Sequence, residues 1–139
     1  MQDQPQNETV KIVIRPVEAG DKDFVFSTWL KGQYWGSVSY MGEQDQYFKD
    51  YGKTITEFIC RPGTFIDCAV LSSAPNVVLG YIVYNDQHLF WSYVKFDFRK
   101  QGILNTLLKD MDFTEYSGST KVGHAIGKKK ELKFNQVKG

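Results

Sequence analysis

The chain has 139 residues, of which 42% are hydrophobic, 15% aromatic and 24% charged, the balance of a globular protein with many large core side chains rather than of a disordered one. Its 17 Lys and Arg stand against 16 Asp and Glu for a net charge of +1, so no global field draws it to nucleic acid or an anionic membrane, and any anion site must be local. No stretch approaches the ~18 consecutive apolar residues of a membrane span.

Residues 1–9 (MQDQPQNET) are polar, lack an apolar signal core and are expected to form a flexible tail ahead of a single domain over 10–139 in a soluble, cytoplasmic protein. Residues 10–15 (VKIVIR) alternate as a strand, which Pro16 closes because proline has no N–H for the ladder. Asp21 is placed to cap a helix running to about Lys31 with Phe24, Val25, Phe26, Trp29 and Leu30 on a broad apolar face, and Gly32 to end it. The aromatic, glycine-rich 33–42 (QYWGSVSYMG) is expected as a loop.

Over 47–59, Phe48, Tyr51, Ile55, Phe58 and Ile59 recur at helical spacing until Pro62-Gly63 stops them. The β-branched and aromatic runs 64–71 and 77–84 predict a hairpin about Ser-Ser-Ala-Pro-Asn, and a further strand follows over 88–96. Then the period changes, with Ile103, Leu104, Leu107, Leu108 and Met111 placing a helix from Gly102. A short strand over 113–116, a last helix capped by Ser119 or Thr120 with Val122, Ala125 and Ile126, and a final strand over 132–137 complete a mixed α/β plan around one sheet. Cys60 and Cys68 have no metal-ligand spacing and are expected as buried thiols.

The chemistry concentrates in 93–107 (YVKFDFRKQGILNTL), where a strand ends at a basic, glycine-containing turn and a helix begins. The amides from Lys100 to Leu104 have no helical partners, Arg99 and Lys100 add positive charge, and Gly102 lets the backbone approach an anion closely. The plainer alternative is a helix start beside a solvated strand-end charge.

This turn, Arg99-Lys100-Gln101-Gly102-Ile103-Leu104, together with the element order, resembles the Gln/Arg-x-x-Gly-x-Gly/Ala cofactor motif of the GNAT acyl-CoA N-acyltransferases. Tyr93-Val94-Lys95-Phe96-Asp97-Phe98-Arg99, Ser27-Thr28-Trp29-Leu30 and Phe134-Asn135 are similar to segments of phage and prophage GNAT-like proteins. The resemblance implies a mixed, mostly antiparallel sheet flanked by about four helices. It implies acetyl-CoA or another acyl-CoA as cofactor, held by Val94, Phe96, Arg99, Lys100, Gln101, Gly102, Ile103 and Leu104, with no metal. Leu104 departs from the motif's Gly or Ala; its side chain either crowds the phosphates or points into the core beside Ile103.

It further implies direct transfer to an amine of a small molecule or a protein, with an oxyanion donor at the amide of Val94 or a neighbour. His88 is then the candidate base. The tyrosine that many such enzymes carry in the last helix as general acid is missing. His124 or Lys128 falls in its slot according to register, with Tyr116 a further candidate whose plainer role is packing. Tyr34, Trp35 and Tyr40, with Met41, fall where the acceptor pocket would be, or serve as interface anchors. The alternative is a GNAT-fold protein without catalysis, a phage accessory factor in the host cytoplasm acting on a host protein; a homodimer is the other partnership considered.

Overall fold

The first strand runs Ile12–Pro16 rather than 10–15, so Pro16, expected to close it, is its last paired residue. The computed structural model describes residues 11–36, 44–99, 101–117 and 133–134, with backbone alone for 33–36, 44–48 and 133–134. In chain order the elements are β1 (Ile12–Pro16), α1 (Lys22–Gly36), α2 (Gln44–Cys60), β2 (Thr64–Leu71), β3 (Ala74–Asn85), β4 (His88–Val94), α3 (Ile103–Leu108), β5 (Glu115–Tyr116) and β6 (Lys133–Phe134). The strands form one sheet in the order β1-β2-β3-β4-β5-β6. The pairings β1–β2, β2–β3 and β3–β4 are antiparallel, while β4–β5 and β5–β6 are parallel, matching the mixed, mostly antiparallel expectation.

Each face of the sheet buries its own apolar cluster. Val25 and Trp29 of α1 and Ile55 and Phe58 of α2 pack on Cys68, Val70, Tyr81, Val83, Phe90 and Trp91. Ile103, Leu107 and Leu108 of α3 pack on Ala69, Leu79, Ile82, Leu89 and Tyr116 of the opposite face. Strict alternation along β4 would send Phe90 and Trp91 to opposite faces. The register instead steps from Val83↔Trp91 to Tyr84↔Leu89, leaving Phe90 as the extra residue of a bulge, and both aromatics join the first cluster.

Several boundaries differ from the sequence-based expectation. Gly32 does not end α1, which continues to Gly36 and absorbs the first residues of the expected loop. A Cβ at Gly32 would stand 2.9 Å from Trp91 Cζ2, so the glycine serves the packing of helix on strand. Asp21 closes a 3-10 turn over Ala19–Asp21 rather than capping α1. Its carboxylate accepts from the Glu18 amide at 2.8 Å and from both Arg15 Nη atoms at 2.6 and 3.1 Å. The second helix begins at Gln44 rather than 47, and β3 begins at Ala74, leaving a two-residue turn of Ser72 and Ser73. Cys60 is exposed at the end of α2, so only Cys68 is a buried thiol. The expected last helix lies outside the described residues, as does all but 133–134 of the final strand.

Candidate functional site

β4 and β5 meet at one end only. His88 pairs with Glu115 and Leu89 with Tyr116, and the Ser117 amide donates to Leu89 O at 3.1 Å. Beyond this junction the Phe90–Val94 edge of β4 faces no strand among the described residues, so the two strands form a V closed at His88 and Leu89. On the β3 side, the Lys95 amide donates to Leu79 O at 2.8 Å. Because antiparallel bonding alternates, the backbone groups of Val94 and Ser92 turn to the open edge. Arg99 Nε donates to Val94 O at 2.9 Å, which places that carbonyl on the same side.

At the open end, Phe96–Phe98 form a 3-10 turn rather than more strand, and the Phe96 carbonyl accepts the Arg99 amide at 3.2 Å. The strand expected over 88–96 therefore ends at Val94. Phe96 lies past the strand, 78% exposed, and Val94 O is engaged by Arg99, leaving the Ser92 and Val94 amides on the edge. The Arg99 guanidinium lies 5.6 Å from the Phe96 ring centre. Gln101 Nε2 donates to Asp97 O at 3.1 Å and ties the turn together.

Gly102 precedes α3 with φ +79°, a left-handed conformation that explains the glycine directly. A Cβ there would meet nothing within 4 Å among the described residues, so on their side the space over the turn is open. Ile103 is 3% exposed, and Leu104 packs against the α3-side cluster, the second of the two orientations open to it. Lys100 lies outside the described residues.

At the closed end His88 Nδ1 stands 3.2 Å from Glu115 Oε1, and its ring lies 5.0 Å from that of Phe90. Burial lowers the His88 pKa below its ordinary value, the Glu115 hydrogen bond and charge oppose that shift, and Arg61 adds to it. His88 Nε2 is buried with no hydrogen-bond partner among the described residues. Tyr116 is buried in the α3-side cluster, on the sheet face opposite Phe90, so the structure does not bring it to the His88 ring. His124, Lys128, Tyr40 and Met41 fall outside the described residues, as do the side chains of Tyr34 and Trp35, whose backbone continues α1.

Residues that the motif does not mark also converge behind β4. The Tyr81 hydroxyl meets Val25 O at 3.0 Å, Thr28 Oγ1 at 2.7 Å and Trp91 Nε1–H at 3.2 Å, holding α1 to the strand. Burial pushes the Cys68 thiol up to about 12, so it stays protonated and is no nucleophile at neutral pH. Among the described residues no cluster of His, Cys, Asp or Glu could hold a metal ion. None of their helices is long and apolar enough to cross a membrane.

The six-stranded sheet passes from three antiparallel pairings to two parallel ones, and β4 and β5 part on the side of a glycine turn. The chain has the GNAT acyl-CoA N-acyltransferase fold, as the solved structures it resembles bear out. A candidate acetyl transferase of Pyrococcus furiosus aligns over 93% of this chain and 83% of its own, at 10% identity and a TM-score of 0.57. Apo YjaB of Escherichia coli aligns over 72% of this chain at 16% identity and a TM-score of 0.51, and this chain spans 63% of it. A GCN5-related N-acetyltransferase of Kribbella flavida aligns over 71% of this chain and 61% of its own, at 15% identity and a TM-score of 0.46. No family model matches the sequence, and no curated protein matches it.

Proposed function

We propose that the protein is an N-acyltransferase that binds acetyl-CoA in the V between β4 and β5 and transfers the acetyl group directly to an amine. The observation that carries this reading is the one-ended β4–β5 pairing, which leaves the Ser92 and Val94 edge open above the His88 and Leu89 junction. Acetyl-CoA supplies the activated thioester. The residues present fit such a ligand: an open left-handed glycine turn with Arg99 beside it at the mouth, and the Ser92 and Val94 amides, which face no strand among the described residues. Gln101 and Ile103 contribute turn amides to the same end, with Lys100 beside them in sequence, while the inward packing of Leu104 supports a turn that admits phosphates.

At the closed end, the Ser92 amide is the edge donor nearer the junction, suited to stabilise charge developing on the acyl oxygen. His88 is the base, and no cysteine nucleophile is needed, in keeping with the protonated Cys68. The acceptor is a small-molecule or protein amine delivered from the α1–α2 side, where Tyr34 and Trp35 stand near the end of α1 and Tyr40 follows in sequence before α2. The likeness of 93–99 to the phage and prophage proteins belongs to this same reading.

Thermal denaturation with acetyl-CoA tests it. A ligand of the native state at ~100 times its Kd adds about 2.7 kcal/mol, so the midpoint should rise by several degrees. Arg99→Glu should abolish the rise, because it replaces an attraction for phosphate by a repulsion. No rise at millimolar acetyl-CoA overturns the proposal, and a rise unchanged by Arg99→Glu places the cofactor elsewhere.

A further inference from the structure

We infer that Glu115 is a positioning residue for His88, holding its ring as the Nδ1–H tautomer so that Nε2 presents a lone pair at the closed end of the V. This deepens the reading above and rests on it for the identity of the proton that Nε2 takes. The argument begins with register. Parallel pairing sets His88 directly opposite Glu115, one on each strand at the point where they join. Side chains that share a face at a cross-strand pair stand close enough to bond, and here Nδ1 reaches Oε1 at 3.2 Å.

A carboxylate accepts and cannot donate, so the nitrogen that faces it carries the proton. In the neutral ring Nε2 is then an acceptor. Yet Nε2 is buried and meets no donor among the described residues, and a native fold seldom leaves such an atom unsatisfied without a use for it. The His88 side chain is 12% exposed while that of Glu115 is 36% exposed, so the carboxylate keeps more contact with solvent than the imidazole does. The ring is braced by Phe90, the bulge residue next along β4 on the same face.

The charged groups that act on the ring come from both neighbouring elements. Glu115 on β5 favours the imidazolium, whereas Arg61, just after α2, disfavours it together with burial. The net effect is a ring that is neutral at pH 7 but able to take a proton with Glu115 beside it. In the reaction a neutral amine attacks, the C–N bond forms, and one amine proton passes to Nε2. As the C–S bond breaks the same proton goes from the imidazolium to the departing thiolate, and His88 returns to its starting state.

Long-range nitrogen–proton NMR of the histidine rings in the full-length protein reads this directly, without an acceptor. His88 should show the Nδ1–H tautomer at pH 7.5. Glu115→Gln, whose amide oxygen still accepts from Nδ1, should keep that tautomer but lower the His88 pKa, whereas Glu115→Ala should mix the tautomers. Acetyl-CoA should shift the Nε2 resonance more than desacetyl-CoA does. A wild-type Nε2–H tautomer, or a His88 pKa unmoved by Glu115→Gln, overturns the inference. An unshifted Nε2 in a protein that acetyl-CoA stabilises overturns it too, while leaving the acyltransferase reading intact. An absent stabilisation sinks that reading first and the role at Nε2 with it.

Discussion

The Trp91 indole packs on α1 so closely that a Cβ on Gly32 would stand 2.9 Å from its Cζ2. Trp91 cannot swing away freely, because it stacks on Trp29 at 5.8 Å, which stacks in turn on Phe58 at 5.7 Å. Two opposed effects therefore meet at one residue. Alanine in a helix interior gains about 1 kcal/mol over glycine, while overpacking a core costs about 1–3 kcal/mol. The stacked ring makes the second term the larger. Gly32→Ala should lower the unfolding free energy by about 1 kcal/mol net and shift the tryptophan emission; a stabilised variant would mean that the indole relaxes at no cost.

Gly80 faces backbone rather than a side chain. A Cβ there would lie 2.7 Å from the Tyr93 carbonyl oxygen, and strand backbone has no rotamer to change. Gly80→Ala should therefore cost about 3 kcal/mol, the upper end of overpacking penalties. The strain should fall on the end of β4, so hydrogen exchange at the Lys95 amide, bonded to Leu79 O, should accelerate more than at core amides of β2. Uniform acceleration would place the cost elsewhere.

At Gly102 the cost is conformational alone. Its φ is +79° and no described residue would meet a Cβ within 4 Å, so alanine should lose about 1–2 kcal/mol through the left-handed backbone. Asparagine, which visits that region more readily, should lose less. Chemical denaturation of Gly102→Ala and Gly102→Asn tests the order; equal losses would point to a contact at the turn rather than to φ.

Asp21 and Asp67 should respond to neutralisation in opposite directions. Arg15 holds the Asp21 carboxyl below its ordinary value, chiefly through the hydrogen bond, so its contribution is full above the unfolded pKa of about 4 and lost as pH falls through the lowered folded value. Asp21→Asn at pH 7 removes the nearer carboxylate beside Arg15 and leaves Glu18 at 3.8 Å, a loss of about 2 kcal/mol. Burial raises the Asp67 carboxyl, with the Tyr84 hydroxyl at 3.0 Å opposing, so its cost appears as pH rises through the unfolded value. Asp67→Asn should leave stability at pH 7 equal or higher. Melting of both variants from pH 3 to 7 checks the signs, and the gap between wild type and Asp21→Asn should close below pH 4.

The order of the described elements was legible because its signals are local: alternation in 10–15, helical spacing in 47–59, and the change of period at Gly102 all act within a few residues. The basic turn was legible for the same reason. Gly32 was misplaced as a helix end because its partner, Trp91, lies far along the chain on another strand. The fate of Leu104 was open because a helix position shows which residues are apolar but not which neighbour receives them.

Glu115 carried no sequence signal as the partner of His88. Their 27-residue separation becomes a 3.2 Å contact only through the β4–β5 register. The Phe90 bulge was equally hidden, since a single extra residue leaves the composition of a strand unchanged while turning two successive aromatics to one face. Thus the sequence by itself determined the order of elements, the apolar faces and the site of the glycine turn, each set by short-range preference and periodicity. Only the tertiary structure decided where the strands part and which atoms stand at the closed end, because register and bulges arise from pairing between distant segments, where one residue of slip redirects every side chain.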